Sequence, residues 1–176
     1  MQPDDTDDEI DDEALAARET LQRGPLYMTP EGHQRLLVDL EALGVERAKV
    51  VQTVSDAAAE GDRSENAEYI YGKRRLRQID ARMRHLRKVV EAAVLVDPRV
   101  DRGDRIFFGA WVTLREGEVE TTYQLVGDHE TDAATHRISY RSPLGAALLK
   151  KEEGDVVVVD TPSGKRRAEI VRVRYG

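Results

Sequence analysis

The chain has 176 residues, of which 40% are hydrophobic and 35% charged, with a formal net charge of -7 and no cysteine. That length suits one large or two small domains with modest cores, and the missing cysteine excludes disulfides and thiolate chemistry, which makes the cytoplasm the expected compartment. The longest apolar runs, Ala146 to Leu149 and Val156 to Val159, are too short to cross a bilayer, and the acidic start lacks the basic patch and apolar stretch of a secretory signal.

The net charge conceals its distribution. Residues 1–26 carry nine acids (Asp4, Asp5, Asp7, Asp8, Glu9, Asp11, Asp12, Glu13, Glu19) against Arg18 and Arg23. Residues 69–91 carry eight bases (Lys73, Arg74, Arg75, Arg77, Arg82, Arg84, Arg87, Lys88) against Asp80 and Glu91. An acidic segment and a basic stripe imply local electrostatic tasks. The like charges and sparse apolar residues of 1–26 predict a disordered tail. Two readings of it stand open: a solubilising tail, or a regulatory one that folds back onto the stripe.

Gly24-Pro25 punctuates the chain, and Thr29-Pro30-Glu31 predicts a helix start, Thr29 capping and Pro30 in the first turn. Leu36, Leu40, Leu43, Val50, Val54 and Ala57 then follow a four-three alternation, interrupted where Arg47 takes a seam position and Gly44 weakens the helix. Glu60-Gly61-Asp62 signals a reversal. A second helix carries a cleaner seam: Tyr69, Gly72, Leu76, Ile79, Met83, Leu86, Val90 and Ala93. Two such helices joined by a short loop predict an antiparallel coiled-coil hairpin about 40 Å long.

Asp97-Pro98 ends the hairpin, and the period then changes. Strands are predicted over 106–114, 121–126, 137–140, 155–159 and 168–173, with turns at Gly127-Asp128 and Pro162-Ser163-Gly164 and one helix from Leu144 to Lys151 opened by Pro143. The fold class is therefore α+β. Residues 1–26 form the tail, 27–97 the hairpin, 98–103 a linker and 104–176 a small, mainly antiparallel β domain with one short helix.

Chemistry concentrates at the hairpin tip. Asp62 and Glu65 are three apart, so both carboxylates can lie together in a first helical turn. Hard oxygen donors suit Mg²⁺, although two carboxylates alone hold it weakly and another partner must complete the site. The same spacing also makes a capping box, with Asp62 at the N-cap and Glu65 bonding back. For the stripe, a solvated outer face competes with phosphate contact, which its one-sided charge favours. Phe107, Phe108, Trp111, Tyr123 and Tyr140 read mainly as core, and His33, His85, His129 and His136 have no metal-ligand spacing.

The tip, Gly61-Asp62-Arg63-Ser64-Glu65-Asn66-Ala67-Glu68-Tyr69, and the following Tyr71-Gly72-Lys73-Arg74-Arg75-Leu76-Arg77-Gln78-Ile79-Asp80 resemble the bacterial transcript-cleavage factors of the GreA/GreB family. The arginine-rich second helix is more similar to the GreB branch. Phe107-Phe108-Gly109-Ala110-Trp111-Val112, Ser142-Pro143-Leu144 and Val157-Val158-Val159-Asp160-Thr161-Pro162-Ser163-Gly164 continue the match, which spans about residues 27–175.

The resemblance implies an FKBP-like β domain that docks on bacterial RNA polymerase at the rim of its secondary channel, while the coiled coil enters the channel. It implies that Asp62 and Glu65 help place a catalytic Mg²⁺ shared with the polymerase, so that the protein stimulates cleavage of backtracked RNA without being an enzyme itself. Lys73, Arg74, Arg75 and Arg77 match the region that contacts the extruded RNA 3′ end, and Arg141, Ser142 and Pro143 lie in the stretch that docks. A monomer is expected. The chain departs from the family pattern in Arg141, where relatives carry Asp or Asn, and in a first arm one residue shorter near Gly44. The alternatives are a channel-entering inhibitor of the same fold, a prolyl isomerase built on the β domain, and a general nucleic-acid-binding or chaperone-like hairpin.

Overall fold

The computed structural model describes residues 24–59, 67–161 and 164–176. The tip residues Asp62 and Glu65, the acidic segment up to residue 23 and the Pro162-Ser163 turn lie outside the described residues. A short strand β1 (Leu26–Met28) leads into helix α1 (Pro30–Ala59). Helix α2 (Ala67–Ala92) runs back and passes directly into strand β2 (Ala93–Leu95), which pairs in parallel with β1, Leu26 opposite Ala93. After a turn-rich stretch come β3 (Trp111–Glu116), β4 (Val119–Val126), a 3₁₀ turn (Asp128–Glu130), β5 (Arg137–Ser139), helix α3 (Pro143–Leu148), β6 (Val156–Thr161) and β7 (Gly164–Arg174).

Helix α1 starts where the sequence placed it. The Gly32 backbone N–H donates to Thr29 Oγ1 at 3.0 Å, which satisfies one of the free amides of the first turn. The helix then continues unbroken through Gly44. The arms are antiparallel: Arg47 of α1 pairs with Asp80 of α2, and Val54, nearer the far end, meets Gly72. The observed seam contains Leu36 and Ala57 from α1 and Gly72, Ile79, Met83, Leu86 and Val89 from α2. Gly72 is there for closeness, since a Cβ at that position would stand 2.3 Å from a Val54 methyl. Arg47, expected in the seam, instead reaches outward to Asp80 at 2.7 Å, which keeps its charge in water.

The five-stranded sheet has the order β5-β4-β3-β7-β6. Its pairings are antiparallel except for β4 with β5, where Leu125 faces Ile138 in a parallel register. The core combines Ile106, Ala110, Val112, Leu114, Leu125 and Ile170 with Leu148 of α3, and all of these are at most 1% exposed.

Three local expectations are corrected. Residues 106–110 are a turn-rich lead-in rather than the start of a strand, because Gly109 adopts φ +90° against Pro98. Ile106 and Phe108 are buried there all the same, so their hydrophobicity reports burial and not strand. Helix α3 stops at Leu148, before Lys151, and Lys150 takes φ 67°. The parallel β1–β2 pair was not expected, since three-residue strands leave almost no periodic signal.

Candidate functional site

The arm presents one strongly charged face. At about 100° per residue, Lys73, Arg74, Arg77, Arg84 and Lys88 fall away from the seam residues Gly72, Ile79 and Met83, and Arg87 lies on the flank between them. All six are exposed. Arg75, the fourth stripe residue expected to meet RNA, sits on the flank facing α1, where its guanidinium pairs with Glu46 at 2.6 Å. Lys73 lies over the Tyr69 ring at 5.9 Å, and among the described residues Arg74 and Arg77 have no ion pair. Asp80, an acid on this part of α2, is held by Arg47, so it does not offset the stripe's charge. Beside these bases Tyr71 is 70% exposed and Ile70 54%. The sequence reading missed Tyr71: its place off the seam was legible, but its use as a stacking surface was not weighed.

The acids of the tip can be placed by connectivity alone. Asp62 and Glu65 belong to the segment that joins the end of α1 at Ala59 to the start of α2 at Ala67. Helix α1, with 30 residues, sets that segment about 45 Å along the helix from Pro30. As a donor set, two carboxylates suit a hard divalent cation but fill few of its six positions. Among the described residues there is no group of three or more His, Asp or Glu side chains able to hold a metal.

The base of the arm is fastened to the sheet by a buried polar cluster. Glu130, 3% exposed, accepts hydrogen bonds from the Thr29 N–H at 3.0 Å and the Gly127 N–H at 3.1 Å, and the Thr29 hydroxyl also donates to it. A carboxylate from the β domain thus sits at the positive end of α1 and orients the arm. Leu26, Met28, Leu36, Leu86 and Val89 form an apolar cluster next to it. Tyr27, Phe108 and Tyr140 pack as a trio with ring centroids 5.6–5.8 Å apart. Burial pushes the Tyr140 phenol up, so it stays a donor, and it bonds the Pro25 carbonyl at 2.6 Å.

Arg141 belongs to this fastening. Its guanidinium donates to the carbonyls of Gly24 at 2.8 Å and Pro25 at 2.9 Å, pairs with Asp128 at 3.2 Å, and stacks over Tyr140. With its side chain 14% exposed, its charge is directed inward onto Asp128 and the two carbonyls, although its buried Nε has no hydrogen-bond partner among the described residues. Ser142 caps α3, accepting from the Gly145 N–H at 3.1 Å, while Pro143 is exposed on the first turn. Glu130 and the inward role of Arg141 escaped the sequence reading, since both depend on partners about a hundred residues away.

His85 of α2 and His129 of the 3₁₀ turn bring their rings within 5.6 Å across the same junction. Partial burial, then the charge of His85, holds His129 below the ordinary histidine range. On the β domain the apolar cavity lined by Leu144, Val157, Val159 and Ala168 measures about 30 Å³, too small for a prolyl ring. Among the described residues no helix is long and apolar enough to cross a membrane.

Comparison with known proteins assigns the chain to a family. The family described as transcription elongation factor, N-terminal, matches residues 26–95, and the one described as transcription elongation factor GreA/GreB, C-terminal, matches residues 101–175. Transcription elongation factor GreB of Neisseria meningitidis serogroup A is 49% identical over 152 residues, covering 85% of this chain and 93% of that one. GreB of Pseudomonas aeruginosa is 47% identical over 154 residues, covering 86% and 92%. Among solved structures, GreA factor homolog 1 of Thermus thermophilus is 26% identical with a TM-score of 0.41, covering 86% of this chain and 99% of that one. The chain belongs to the GreA/GreB family of transcription elongation factors.

Proposed function

We propose that this protein enters the secondary channel of bacterial RNA polymerase and stimulates cleavage of the backtracked transcript. The observation that carries the reading is the arm itself: two long helices, rigidly fastened at the base, with Asp62 and Glu65 in the link at the far end and an exposed basic stripe behind it. Family membership supports polymerase as the partner.

In this reading Asp62 and Glu65 would hold a Mg²⁺ together with carboxylates of the polymerase. The ion when bound would polarise the scissile phosphate and lower the pKa of a water. The chain's own residues do the rest. Arg74 and Arg77, and Lys73 beside them, contact phosphates of the extruded RNA, and Tyr71 offers a face on which a base can stack. Arg75 stays on Glu46 and stiffens the arm. The protein is not itself an enzyme, because its two carboxylates need the polymerase to complete the site. The exposed Pro143 and the capped start of α3 belong to the surface that docks on the channel rim.

The test is cleavage of 3′-labelled RNA in a purified, backtracked elongation complex from the cognate bacterium. Wild type is expected to accelerate cleavage, and Asp62→Asn and Glu65→Gln to bind without accelerating it. Asparagine still caps a helix, so Asp62→Asn separates capping from metal work. Wild type that binds and slows both cleavage and elongation would identify an inhibitor and overturn the reading.

A further inference from the structure

Two features remain unused by transcript cleavage: the acidic segment, which lies outside the family match, and the lower half of the basic stripe, Arg84, Arg87 and Lys88. We infer that residues 4–13 of this chain, with eight acids among ten residues, bind the α2 stripe and compete there with nucleic-acid phosphates.

Gly24 and Pro25 are pinned by Arg141 and Tyr140, and β1 follows at once, paired to β2 at the foot of α2. Lys88 is five residues before Ala93, so the stripe begins about 8 Å up the helix from the β1–β2 pair. Gly24 is eleven positions beyond Glu13, and an extended chain over that span reaches about 36 Å. From Lys88 to Arg74 the stripe extends about 21 Å. Every base along it is within reach of the acids.

Charge selects this surface over the others. Asp80 is taken by Arg47, so the stripe's charge is not cancelled by that acid. Over residues 69–91 eight bases stand against Asp80 and Glu91, whereas on the β domain Arg115 is matched by Glu120 and Glu169 and Arg166 by Glu116. Tethering makes the contact intramolecular, with an effective concentration of order millimolar. A run of carboxylates and a single-stranded nucleic acid both present dense negative charge to the same bases, so the two compete.

The experiment uses the full chain and stands apart from the cleavage reading, because it is read in the isolated protein. The chain has no cysteine, so Thr6→Cys carries a single nitroxide label. At low salt the label should broaden the amide resonances of Arg84, Arg87 and Lys88, and the signals should recover at about 0.5 M salt. Label effects absent from α2, or confined to the β domain, overturn the inference. A second variant replaces Asp4, Asp5, Asp7, Asp8, Asp11 and Asp12 by Asn and Glu9 and Glu13 by Gln. It should bind a 12-nucleotide single-stranded RNA about tenfold tighter than wild type at low salt, with the gap closing as salt rises. Equal affinities at low salt overturn the competition.

Discussion

The arm and the junction at its base solve opposite problems with the same chain. Along the arm, burial is a narrow seam: Ile79 and Leu86 are 1% exposed, but Leu40, Leu43, Val50 and Val54 are only half-buried and the outer faces are charged. At the junction and in the β domain, polar and apolar groups are both enclosed, down to the carboxylate of Glu130. The arm's two helices pack on each other along the seam and are fixed to the β domain at one end. The junction fastens the arm through Glu130, Tyr140 and Arg141.

The sharpest way to separate the two regions is to damage each and ask what fails. Substituting the tip acids, Asp62→Asn or Glu65→Gln, should reduce stimulated RNA cleavage by about 100-fold, equivalent to ~2.7 kcal/mol, with the melting temperature unchanged. A core truncation should do the reverse. Leu125→Ala, at a fully buried position, should cost about 3 kcal/mol in a urea titration, whereas Leu43→Ala on the half-buried arm should cost less than half of that. Equal costs would mean that the arm is as tightly packed as the sheet.

Glu130→Ala tests the junction directly. It leaves the Thr29 and Gly127 N–H groups and the Thr29 hydroxyl without their acceptor in a buried place, which should cost about 3 kcal/mol by urea titration. Glu130→Gln keeps the shape and should recover part of that. The loss should also raise the concentration needed for half-maximal cleavage, because an arm that swings at its base is less often aligned.

These contrasts show what could be read from sequence. The seam and the cap at Thr29 follow from local spacing, so the hairpin was legible from residues three and four apart. The same holds for the β-branched runs that became β4, β6 and β7. Glu130 and Arg141 were not legible, because nothing local distinguishes a buried carboxylate or an inward guanidinium from surface ones. Their roles come from residues 101 and 117 positions away along the chain, Thr29 and Gly24. Gly109 shows a third limit: an apolar run such as Ile106-Phe107-Phe108 specifies burial, while one glycine at positive φ decides whether it is a strand. At the tip, the expected pairing of Asp62 with Glu65 rests on spacing and its use on the family resemblance, and both residues lie outside the described ones.

Two glycines of the arm sharpen the comparison further. Gly72→Ala pushes a methyl to 2.3 Å from Val54, so the seam must open, at a cost of about 1–3 kcal/mol. Gly44→Ala meets nothing within 4 Å and should stabilise by about 0.5–1 kcal/mol, because it removes backbone freedom from the unfolded chain without a clash. Thermal melts of the two variants should therefore move in opposite directions.

The smallest expected effect is a pH dependence confined to the junction. His129 faces His85 and Arg82 on α2 and stands beside Asp128 and Glu130 on its own turn. Burial and the two cations lower its proton affinity in the fold, and the two acids only partly oppose them. A folded pKa below the ordinary 6.5 means that the unfolded chain takes up more protons as the solution acidifies. Its contribution to stability is therefore complete above that value and declines as pH falls through it towards the folded pKa. Urea midpoints measured between about pH 7.5 and about pH 5.5 should fall for wild type. His129→Gln removes the titrating group and should flatten part of that slope, while the core variant Leu125→Ala keeps the wild-type slope at a lower midpoint. If His129→Gln and wild type lose stability in parallel, the two rings meet without influencing each other's charge, and the arm's attachment is insensitive to protons in this range.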